Sequence, residues 1–111
     1  MTVKELNQDE RILFAGALRR LVQAEGWVTD AEIAGIEELR TTFGFSDLDD
    51  ALDEFAARVK RGNDFDAQAL AITDPDSRAF ILDRLIEVSL MDGYRDRSEE
   101  AFIEHLKALW A

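Results

Sequence analysis

The chain has 111 residues, 47% of them hydrophobic, with seven Phe and two Trp, so it can bury one ordinary core and lies far from the composition of disordered acidic chains. Twenty-four acids against 13 bases give a net charge of −11, and with the doublets Arg19-Arg20 and Lys60-Arg61 as the longest basic runs, such a surface repels nucleic acid and anionic lipid. The absence of cysteine excludes disulfides, thiolate nucleophiles and thiolate zinc sites.

No apolar run approaches the ~20 residues of a membrane span, and the start "MTVKELNQDER" lacks the basic-then-apolar profile of a signal peptide. A single cytoplasmic domain over residues 1–111 is expected. Apolar residues recur at helical spacing throughout, and no segment alternates in the manner of a strand, so the fold class is all-α, a compact bundle of about five to seven helices.

The first helix is expected over residues 7–25, with Asp9 and Glu10 at the positive end of its dipole and Leu13, Phe14, Ala17, Leu18, Leu21, Val22 and Ala24 as a broad apolar stripe. A second follows over residues 30–42 and stops at Gly44. Ser46 reads as the N-cap of a third, "SDLDDALDEFAARVKR", whose Leu48, Leu52, Phe55 and Val59 share one face and which Gly62 ends. "DFDAQALAI" suggests a short helix or turn. In "TDPDSR", Asp74 caps and Pro75 takes the first position of a long helix over residues 74–91. The last helix spans residues 97–109 and carries Phe102, Ile103, Leu106 and Leu109.

At the offset that separates Gly26 from Gly93, Leu18 matches Leu85, Leu21 matches Val88, Glu32 matches Glu99, Ile36 matches Ile103, and Leu39 matches Leu106. These matches describe two copies of one helix-loop-helix unit. The loops themselves, within "AEGWVTDAEI" and "MDGYRDRSEE", admit two readings. In the first, Thr29 with Glu32 and Asp96 with Glu99 form capping boxes, while Gly26 and Gly93 close the preceding helices. In the second, the carboxylates hold a divalent cation. An ordinary EF-hand is excluded, because Val88 and Leu90 would stand where oxygen ligands are needed. A sparser site built from Asp92, Asp96, Glu99 and Glu100, or from Glu25, Asp30 and Glu32, stays open, completed by water or backbone carbonyls.

Two copies of Asp/Glu-Gly-x5-Glu, each ending one long apolar helix and opening another, make the chain similar to the TerB-like family from about Ile12 to Trp110. That family is associated with tellurite resistance and also occurs as a domain in co-chaperones of the DjlA type. The resemblance implies an all-α bundle without known catalytic activity, linked to stress responses and protein assemblies. It also implies divalent-metal candidates at Asp92 and Glu99, and at Glu25 and Glu32. Glu25 stands where the family usually has Asp, and Arg95 where a small apolar residue is usual.

No catalytic constellation accompanies this pattern. His105 is the only histidine and reads as a helix-boundary residue. "GFSDLDDALDE" superficially suggests an acyl carrier protein, but those carry Asp-Ser-Leu where this chain has Ser46-Asp47-Leu48. Trp27 and Tyr94 follow the two glycines at matched positions and are candidate interface residues if exposed, or else cover the edge of the core. The leading expectation is a non-enzymatic acidic interaction module with a protein partner. The alternative is a divalent-cation binding or sensing protein using the two loops. Neither nucleic acid nor membrane insertion is expected, and the oligomeric state is open.

Overall fold

The computed structural model describes residues 2–22, 40–41, 44–89 and 97–111. Among these there are five α-helices and no strand: α1 (Gln8–Val22), α2 (Leu48–Lys60), α3 (Phe65–Leu70), α4 (Pro75–Ser89) and α5 (Arg97–Leu109), preceded by a 3-10 turn at Val3–Glu5. The radius of gyration is 13.0 Å, close to the roughly 13 Å expected of a compact chain of this length.

Helix α1 is the centre of the molecule. Every residue from 12 to 18 is buried, and Leu21 joins them. A helix apolar on nearly all sides has to be surrounded, and α2, α3, α4 and α5 all pack on it. Its start is set by a reciprocal box: the Asn7 N–H donates to Glu10 Oε1 at 2.9 Å, and the Glu10 N–H donates to Asn7 Oδ1 at 2.8 Å. Asp9 and Glu10 occupy its first turn, as expected.

Arg40 and Thr41 are helical, and the chain then turns at Gly44, whose φ of 64° lies in the left-handed region. The Gly44 N–H donates to the Thr41 carbonyl and the Phe45 N–H to that of Arg40. This pair of bonds is a Schellman motif, and it needs a residue that tolerates positive φ. The turn delivers Phe45 into the core, stacked on Phe14 with centroids 5.8 Å apart. The expected N-cap at Ser46 is not the one observed. Helix α2 begins at Leu48 with Asp47 in the cap position and no side-chain cap bond. The Asp47 carboxylate instead lies 3.4 Å from Arg11 Nε, tying α2 to α1.

Along α2 the expected stripe holds for Leu48 and Phe55, which are buried, and for the half-buried Leu52. Val59, in the last turn of α2, is 36% exposed. Gly62, with φ of 91°, ends α2 through a second Schellman pair, its N–H donating to the Val59 carbonyl and that of Asn63 to Arg58.

The short segment after Asn63 is helical, as Asp64 accepts from the Ala67 N–H and thereby caps α3. Asp74 caps α4 by accepting from the Asp76 N–H at 2.8 Å and the Ser77 N–H at 3.4 Å, with Pro75 in the first position. Helix α4 is less enclosed than α1. In α4, Ile81 and Leu85 are buried, whereas Phe80, Leu82, Ile86 and Val88 are half-buried, so this helix flanks the centre. Helix α5 buries Ile103 and Leu106, one turn apart. Just beyond it, Trp110 Nε1 donates to the Ala69 carbonyl at 2.8 Å and latches the end of α5 to α3.

Candidate functional site

The expected sites sit in the segments that follow α1 and α4, so the direction of these two helices decides where those segments start. Asn7, Asp9 and Glu10 at the N-terminal end of α1 line the same cleft as Asp74 and Ser77 at the N-terminal end of α4. Further along both helices, Phe14 meets Phe80 edge to face at 6.0 Å. The correspondence advances in the same sense on each helix, so α1 and α4 run parallel. A parallel pair puts their C-terminal ends, Val22 and Ser89, on the side away from that cleft.

The candidate metal residues Glu25, Glu32 and Asp92 and the candidate interface residues Trp27 and Tyr94 lie outside the described residues. So do Gly26, Gly93 and the Thr29 and Asp96 caps. Glu99 lies in the first turn of α5, but its side chain is also outside them. Among the described residues, no group of three or more His, Cys, Asp or Glu could hold a metal ion. The matched apolar positions can be compared where both are described: Leu18 and Leu85 are both buried, while Leu21 is buried and its counterpart Val88 half-buried.

An acidic concavity is present at the opposite end of the two helices. The cleft between the N-terminal ends of α1 and α4, of about 340 Å³, is lined by Glu5, Asp9, Glu10 and Asp74 together with Asn7, Thr73 and Ser77. Its carboxylates have local duties. Glu10, only 6% exposed, closes the α1 cap, and Asp74 closes the α4 cap. Asp9 accepts from Arg58 Nη2 at 3.0 Å, and Glu5 accepts from the Thr2 hydroxyl. Partial burial of the Arg58 guanidinium opposes its charge, but hydrogen bonding and attraction to Asp9 and Glu54 outweigh that and raise its pKa above the ordinary arginine value. Arginine is charged at ordinary pH in any case, so Asp9 and Glu54 face a cation. Asn7-x-x-Glu10 is a capping-box spacing with Asn in the Ser/Thr place, and that signal makes these two residues legible as a helix start.

His105 lies at an exposed boundary, as expected, with Nε2 2.9 Å from Asp66 Oδ1 across the α5–α3 junction. Among the described residues no helix is long and apolar enough to cross a membrane.

A family model described as tellurite resistance protein TerB matches residues 11–110. No curated protein and no solved structure matches the chain. The matched span takes in all five α-helices except the first turn of α1, and the resemblance carried by the repeated Asp/Glu-Gly-x5-Glu loops falls inside it. The chain belongs to the TerB family.

Proposed function

We propose that this TerB-family protein is a non-enzymatic, acidic interaction module whose working end is the one from which its two acidic loops depart. What supports the reading is the parallel run of α1 and α4. The segment with Glu25, Trp27 and Glu32 follows α1, and the segment with Asp92, Tyr94 and Glu99 follows α4, so both start at one end. A partner presenting basic side chains around an apolar cleft would match carboxylates alternating with two aromatics. Photo-crosslinking residues placed at positions 27 and 94, and at the exposed Asp53 as a control, test this in cells. The same protein should be captured from both loop positions and not from Asp53. Capture from neither loop, or equally from all three positions, counts against the module.

The second reading, divalent-cation binding, draws on the same observation. A hard cation takes six or more oxygens, and two loops starting at one end would offer carboxylates from both to a shared site. In calorimetric titrations with calcium, magnesium, manganese and zinc, this reading expects a heat of binding for at least one ion that Asp92→Asn and Glu99→Gln abolish. An absence of heat, with no shift in melting temperature, eliminates it and leaves the protein-binding reading standing.

A further inference from the structure

We draw no further inference here: the strongest candidate, the cleft between the N-terminal ends of α1 and α4 lined by Glu5, Asp9, Glu10 and Asp74, is a cluster of carboxylates already engaged with neighbouring N–H, hydroxyl and guanidinium groups, and nothing else in the structure points to a ligand for it.

Discussion

Gly16 sits in the middle of α1 against the flat of Phe55. A Cβ at this position would fall 2.3–2.6 Å from three atoms of that ring, and the ring, 7% exposed, has little room to withdraw. Alanine ordinarily stabilises a helix interior by about 1 kcal/mol over glycine, but overpacking a filled core costs about 1–3 kcal/mol. The second effect should win here. A contact this short puts the cost at the upper end, about 2–3 kcal/mol, so net of the helix gain Gly16→Ala is expected to lower the unfolding free energy by about 1–2 kcal/mol in urea titrations. Phe55→Leu in that background should recover part of the loss, since neighbouring substitutions are not additive. A Gly16→Ala protein as stable as its parent would remove the close approach between α1 and α2. The sequence does not announce this contact: a glycine within a helical pattern marks a close approach without naming the residue that approaches. The Trp110 latch onto the Ala69 carbonyl was equally hidden, because a backbone acceptor has no side-chain signature.

At the scale of elements, local chemistry did most of the specification. Gly44, Gly62, Asp74 and Pro75 were legible because caps and left-handed turns depend on a few adjacent residues. Both glycines have positive φ, and a Cβ at either would meet nothing within 4 Å. Their substitution therefore tests backbone strain alone. Gly44→Ala and Gly62→Ala are each expected to cost about 1–2 kcal/mol, and Gly44→Asn less than Gly44→Ala, because Asn tolerates the left-handed region better. Unchanged denaturation midpoints would contradict the two Schellman turns. Two misreadings have the same origin. Ser46 has the right residue type for a cap, but the turn handing Phe45 to the core moves the start of α2 to Leu48. Val59 lies on the apolar face, but periodicity gives the direction of a face and not how deeply each position on it is buried.

For the whole molecule, the all-helical class and the TerB family were readable from helical periodicity and the duplicated loop motif. The relative direction of the two long helices was not, because an apolar stripe reads the same whether its neighbour runs parallel or antiparallel. The shared cleft at their N-terminal ends and the Phe14–Phe80 contact further on supply that direction. It supports the proposed function, since the two acidic segments follow α1 and α4 in the chain and the described parts of these helices run in the same direction. The candidate carboxylates and aromatics are legible as a motif, and their side chains lie outside the described residues.

The absence of native cysteine makes the direction of α1 and α4 directly measurable, because paired cysteines introduced for spin labelling will be the only thiols. Arg19, near the C-terminal end of α1, and Asp76 and Glu87, near the two ends of α4, are all exposed. Electron–electron double resonance on the Arg19→Cys/Glu87→Cys and Arg19→Cys/Asp76→Cys proteins compares the same end with the opposite end. With α1 and α4 parallel, the 19–87 distance is expected to be the shorter of the two. If the 19–76 distance is the shorter, α1 and α4 are antiparallel, the loops start at opposite ends, and the proposed single working end is contradicted.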